Sequence, residues 1–262
     1  MAEPVDNAVL EQRGDRGVVT LTMNRPANFN SLSEEMLGAL QAAIDRVARD
    51  ESARVVVLAA AGKAFCPGHN LKEMIGKPAL DYYQQLFAQC SRLMLSIQKL
   101  PVPVIAKVQG IATAAGCQLV AQCDLAVAST QASFAVSGVS YGLFCSTPSV
   151  PLFRNVGQKQ AMEMLVTGDF ITAEEAKARG LVNRVVSPEQ LDAEVAELVD
   201  SILAKPRAAI AMGKELFYAQ REMGIEAAYQ LAGQTMAVNM MDSCAQEGFT
   251  AFTEKRKPNW NG

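Results

Sequence analysis

Two unbroken apolar runs, residues 55–58 and 102–106, each lead through a glycine-bearing turn into a stretch of helical period. A run without polar alternation suits a strand covered on both faces, the habit of parallel strands flanked by helices. Such alternation of strand and helix points to an α/β fold built of stacked βα repeats.

The same reading extends along the chain. Residues 18–23 alternate apolar and polar after the turn at Gly14, Asp15, Arg16 and Gly17, as the second arm of an antiparallel hairpin begun near Val9. Ser33 is expected to cap a helix that buries Met36, Leu37, Leu40, Ala43, Ile44 and Val47. A helix at 82–98, a turn at Gly110, a short helix from Gly116 and a strand at 125–128 follow. Beyond Gln158 only residues 182–186 read as strand, and helices are expected at 159–167, 189–203, 207–221 and 226–241. No linker long or polar enough to separate two domains intervenes.

With 262 residues, half of them hydrophobic, the chain can build a sizeable core. A net charge of −3 gives no basic footprint for nucleic acid or anionic lipid. The longest apolar runs are far too short to cross a bilayer, and the N-terminus lacks a secretory pattern, so a soluble cytoplasmic protein is expected. The cysteines, Cys66, Cys90, Cys117, Cys123, Cys145 and Cys244, have no metal-ligand spacing, and His69 is the single histidine. Free buried thiols and no metal are therefore expected.

Two segments carry chemistry. In Lys63-Ala64-Phe65-Cys66-Pro67-Gly68-His69-Asn70-Leu71-Lys72 a glycine turn follows a buried strand and precedes a helix, an arrangement that leaves N–H groups without internal partners. Gly68 permits the turn and His69 offers the N–H. In the second, the strand ends at Val108, Gly110 turns the chain, and Ala112, Ala114, Ala115 and Gly116 allow close approach to a second helix start. Two such turns can serve one oxygen.

Together these segments resemble the enoyl-CoA hydratase/isomerase (crotonase) family. The resemblance extends to Asn24-Arg25-Pro26 with Asn30 and Leu32, to the stretch from Thr167-Gly168-Asp169 to Gly180-Leu181-Val182, and to the tail from Glu247-Gly248 to Pro258. It implies a crotonase (ClpP-like) fold of stacked ββα repeats, with residues 1–195 as a spiral core and 196–262 as a helical oligomerisation layer rather than an independent domain. By the same resemblance, the His69 and Ala115 N–H groups form an oxyanion hole for an acyl-CoA thioester. Asn30, Gly68, His69, Asn70, Leu71, Lys72, Ala115, Cys145 and Lys255 contact the substrate, with Lys255 toward the CoA phosphates. No cofactor is implied beyond CoA, which is part of the substrate, and the assembly implied is a homotrimer or a dimer of trimers. The setting implied is fatty acid or acyl-CoA metabolism.

The chain departs from the pattern where hydratases of the family carry two glutamates. These positions fall on Gln118 and Gly138, and neither can accept a proton near neutral pH. The resemblance implies a nominally enoyl-CoA hydratase-like lyase, while the missing glutamates argue against conventional hydration. Loss of carbon dioxide from a malonyl-type thioester needs no base and suits an oxyanion hole; a non-catalytic acyl-CoA binding protein is the rival reading. The segments around Gly68-His69, 112–121 and 142–148 resemble one group within the family whose reaction is poorly defined.

Blander roles stand beside these. The His69 imidazole can be structural, Gln118 can simply fill the glutamate's space, and Cys145 and Ser146 lack a partner base for nucleophilic work. Tyr141 is expected to pack like a strand residue, and Asp124 to be structural. Trp260 is expected to pack the tail against a neighbouring subunit.

Overall fold

The computed structural model describes residues 7–260. The chain opens with the expected antiparallel hairpin of β1 (Val9–Arg13) and β2 (Val18–Met23). A crossover through α1 (Glu34–Ala48) leads to β3 (Val55–Ala60), which pairs parallel with β2. The Ser33 hydroxyl accepts from the Met36 N–H at the start of α1, and the six apolar residues foreseen for that helix are its buried ones.

Two helices follow, α2 (Leu71–Gly76) and α3 (Leu80–Lys99), before β4 (Val104–Val108). The next repeat comprises β5 (Ala112–Thr113), α4 (Ala115–Gln122), β6 (Leu125–Ser129) and β7 (Ser133–Ala135). The chain then runs through α5 (Ser146–Asn155), α6 (Gln158–Thr167), β8 (Ile171–Thr172), α7 (Ala173–Ala178) and β9 (Arg184–Val186). It closes with α8 (Leu191–Leu203), α9 (Arg207–Gln220), α10 (Ile225–Met240) and α11 (Ser243–Thr253).

The main sheet has the order β1-β2-β3-β4-β6-β9, parallel except at the first pair. Both faces are covered, which explains the unbroken apolar runs. Val55, Val57, Ile105 and Val127 pack against Leu191, Val195 and Val199 of α8, while Val56, Leu58, Val104 and Ala106 face the larger core with α1 and α3. A smaller sheet, β5-β7-β8, is prolonged by bridges between Cys66 and Ala112 and between Leu32 and His69. This second row lines up the turns that leave β3 and β4.

The C-terminal layer is fastened by charge. The Lys214 ammonium on α9 donates to Asp124 Oδ2 at 2.7 Å and to the Ile97 and Val102 carbonyls, while the Tyr218 hydroxyl donates to Asp124 Oδ1 at 2.8 Å. Asp124 also accepts the Val104 N–H at 2.7 Å, so the acid read as structural ties α9 to the start of β4. One expectation is corrected. Tyr141 is 80% exposed on the 3-10 turn Ser137–Tyr141, because its apparent alternation belongs to a tight turn that follows β7. The Trp260 ring lies over Gly248 and its N–H donates to the Ala204 carbonyl. Among the described residues no helix is long and apolar enough to cross a membrane, and no three His, Cys, Asp or Glu side chains group to hold a metal.

Candidate active site

The two turns singled out in the sequence lie side by side, and glycine lets them touch. A Cβ on Gly110 would stand 2.0 Å from the Lys63 carbonyl oxygen, one on Gly116 2.0 Å from that of Cys66, and one on Gly68 3.2 Å from the Ala115 nitrogen. Side chains at these three positions would drive the turns apart. Between the glycines, the Phe65 and Cys66 N–H groups donate to the Ile111 carbonyl, and the Thr113 N–H donates to the Cys66 carbonyl, each at 3.0 Å.

Gly68, at φ +102°, reverses the chain immediately before His69. On the facing turn Ala114 holds the left-handed φ of 50°, fixed by its N–H bond to the Ala135 carbonyl. An alanine in that region costs about 1–3 kcal/mol. It swings the chain so that Ala115 begins α4. Among the described residues neither the His69 N–H nor the Ala115 N–H donates to another group of the chain. Ala115 is in the first turn of its helix, where N–H groups have no internal acceptor and the helix dipole is positive.

Gln118 sits one turn further along α4, buried, with Oε1 unpartnered. Helix side chains lean toward the N-terminus, which for α4 is the end that carries Ala115. The His69 ring stands edge-on to Phe87 at 5.5 Å, with Nε2 buried and unpartnered. Burial lowers its pKa to about 4, so the imidazole is neutral at physiological pH.

Gly138 lacks more than a side chain: it lacks room for one. A Cβ there would meet the Leu143 carbonyl oxygen at 2.4 Å and Cys145 Sγ at 2.8 Å. The loop is closed on itself, the Leu143 N–H donating to the Gly138 carbonyl and the Gly138 N–H to Cys145 Sγ at 3.3 Å. Next to it Thr113 Oγ1 and Ser137 Oγ share a hydrogen bond of 2.9 Å. Burial raises the Cys145 pKa, which disfavours a reactive thiolate.

The remaining expected contacts divide. Asn30 is 0% exposed, its Nδ2 donates to the Ala61 and Ala64 carbonyls, and its Oδ1 accepts the Arg25 N–H. Its side chain shapes the turn. Asn70 caps α2 by accepting the Lys72 N–H and donating to Glu73. Leu71 and Lys72 are exposed beside it. Lys255, at φ 56°, is exposed on the tail and pairs with no carboxylate among the described residues, whereas neighbouring Arg256 is held by Glu247 and Glu254. The contacts of Gly110 and Gly116 and the Thr113–Ser137 pair were not foreseen. Only the small-residue run 110–116 hinted at them.

Stacked βα units, a second row of bridges bringing two uncommitted N–H groups together, and a fastened helical layer define an α/β protein of the crotonase fold. The chain belongs to the enoyl-CoA hydratase/isomerase family, whose pattern matches residues 13–262. It is 44% identical over 260 residues to rat (Rattus norvegicus) "Enoyl-CoA hydratase domain-containing protein 3, mitochondrial", covering 99% of this chain and 86% of the relative. It superposes with a TM-score of 0.96 on an enoyl-CoA hydratase crystal structure from Mycobacterium smegmatis, 63% identical, covering 99% of this chain and all of the other. For the human enoyl coenzyme A hydratase domain-containing protein 3 the TM-score is 0.93 and the identity 42%, covering 97% of this chain and all of the other. The domain-containing protein 3 group is thus the one whose segments this chain resembles.

The relatives overturn the cytoplasmic expectation: the rat, mouse, frog and human proteins at 44% identity are all named as mitochondrial. The lack of a secretory pattern and the presence of free thiols do not distinguish one reducing compartment from another.

Proposed function

We propose that the chain binds an acyl-CoA thioester with its carbonyl oxygen between the His69 and Ala115 N–H groups, and promotes an enolate-forming reaction other than hydration. Loss of carbon dioxide from a malonyl-type thioester fits best. The observation that carries this reading is the pairing of two uncommitted N–H groups with family-glutamate positions that supply no base, Gly138 lacking even the space for one. In this reaction the bond from Cα to the carboxylate carbon breaks and its electron pair moves onto the thioester oxygen. Carbon dioxide leaves, and the enolate then takes a proton from water.

No step needs a carboxylate. Each N–H on the oxyanion is worth about 10²–10³ in rate, whereas hydration without its acid and base forfeits about 10²–10⁴. Asn70, Leu71 and Lys72 flank the thioester end, and Lys255 is assigned to the CoA phosphates. The exposed apolar residues Phe217, Ile225, Tyr229, Met236 and Phe252 on the C-terminal helices support contact between copies of the chain, as a homotrimer or a dimer of trimers.

The test is turnover by the purified protein. Crotonyl-CoA is expected to keep its conjugated absorbance, and malonyl- or methylmalonyl-CoA to release carbon dioxide above background. Rapid loss of the enoyl absorbance refutes the reading. Binding of both thioesters with turnover of neither favours the non-catalytic alternative.

A further inference from the structure

Gln109 follows β4 at the point where the two turns separate. Its Nε2 faces three main-chain carbonyls, those of Ala60 at 2.9 Å, Gly62 at 3.1 Å and Ala64 at 3.1 Å, one of its two hydrogens being shared. From the other side Asn30 Nδ2 takes the Ala61 carbonyl at 2.8 Å and shares that of Ala64 at 3.0 Å. Two carboxamides thereby gather the carbonyls of the loop that leaves β3. The loop turns through Gly62 at φ +81°, so these carbonyls converge instead of alternating as they would in a strand. Converging carbonyls repel one another, and left buried without a donor each forfeits its hydration.

The placement gives this clasp a consequence at the site. The loop that Gln109 holds continues through Phe65 and Cys66 to Gly68 and His69, whereas the chain bearing Gln109 continues through Gly110 to Ala115. Gly110 already lies against the Lys63 carbonyl with no room for a side chain. Gln109 therefore cross-links the two turns at their base.

We propose that Gln109 is a positioning residue for the His69–Ala115 donor pair. This rests on the reading that the pair holds a thioester carbonyl. A hydrogen bond to a developing oxyanion depends steeply on distance, so relaxing the base of the turns weakens polarisation of the carbonyl more than it weakens binding of the rest of the ligand.

The test uses the full chain and hexa-2,4-dienoyl-CoA, a conjugated thioester whose absorption moves to the red when its carbonyl is polarised. The natural protein is expected to bind the probe with a red shift. Gln109→Met is expected to bind within about threefold of the natural affinity yet to lose at least about half of the shift. Gln41→Met is the control. It removes a carboxamide of α1 that bonds Asp45 and Ser96 away from the turns, and it keeps the full shift. Should Gln109→Met not fold, Gln109→Asn, shorter by one methylene, is expected to give an intermediate shift.

A full shift in either Gln109 variant overturns the proposal, as does an equal loss in Gln109→Met and Gln41→Met. Binding to the natural protein without any shift overturns the thioester-carbonyl reading itself, and this proposal with it.

Discussion

Restoring the missing glutamate at position 138 would be the obvious way to seek hydratase activity, and the structure forecasts that it fails for want of space. In Gly138→Ala the new Cβ would lie 2.4 Å from the Leu143 carbonyl oxygen and 2.8 Å from Cys145 Sγ. Ordinary contact begins near 3.4 Å, so a backbone carbonyl must retreat by about 1 Å. That carbonyl cannot swing away freely, because the Leu143 N–H is bonded to the Gly138 carbonyl in the same closed loop. Overpacking of this kind costs about 1–3 kcal/mol. At this chain length that lowers the melting temperature by about 2–4 °C for each kcal/mol.

Calorimetry or urea unfolding of Gly138→Ala reads the cost directly. Cys145→Ala in the same chain removes the sulfur contact, together with the weak bond from the Gly138 N–H, and is expected to recover part of the loss. Gln118→Glu/Gly138→Glu is expected to be less stable still, since the first substitution places an acid where Gln118 is only 3% exposed, and to gain no crotonyl-CoA hydration. Gly138→Ala with unchanged stability, or a doubly substituted chain that is stable and hydrates crotonyl-CoA, refutes the steric reasoning.

Two further outcomes follow from the charges. Burial lowers the His69 pKa from 6.5 to about 4, so the unfolded chain binds the extra proton first. Stability is then lost as pH falls from about 6.5 to about 4, by about 3 kcal/mol, and no further below that. Urea midpoints across this range should show the loss in the natural chain and lack that increment in His69→Gln; parallel curves contradict it. Lys214→Met strips the partly buried Asp124 of its cation while leaving the Val104 and Tyr218 bonds, and is expected to destabilise by about 3 kcal/mol. Denaturant unfolding checks this, and a loss below about 1 kcal/mol would show that the fastening of α9 is hydrophobic instead.

Features set by neighbours a few residues apart could be read from the chain alone. Ser33 capping α1, the apolar spacing of that helix, the hairpin ahead of it and the doubly covered strands β3 and β4 all follow from local periodicity and turn chemistry. The two glycine turns were legible for the same reason, and the family resemblance supplied their meaning. Where only packing decides, sequence could not reach. The three bonds that tie the Asn30 side chain to the main chain leave no sign in the sequence, and Tyr141 reads as a strand residue until the turn exposes it. Gly138 reads as a missing base, but the returning loop makes it a closed position. The carbonyl clasp of Gln109 joins residues 45 to 49 positions apart, and the Asp124–Lys214 pair joins residues 90 apart. Local spacing carries no record of such pairs, because they exist only once hydrophobic burial has brought the turns and layers together.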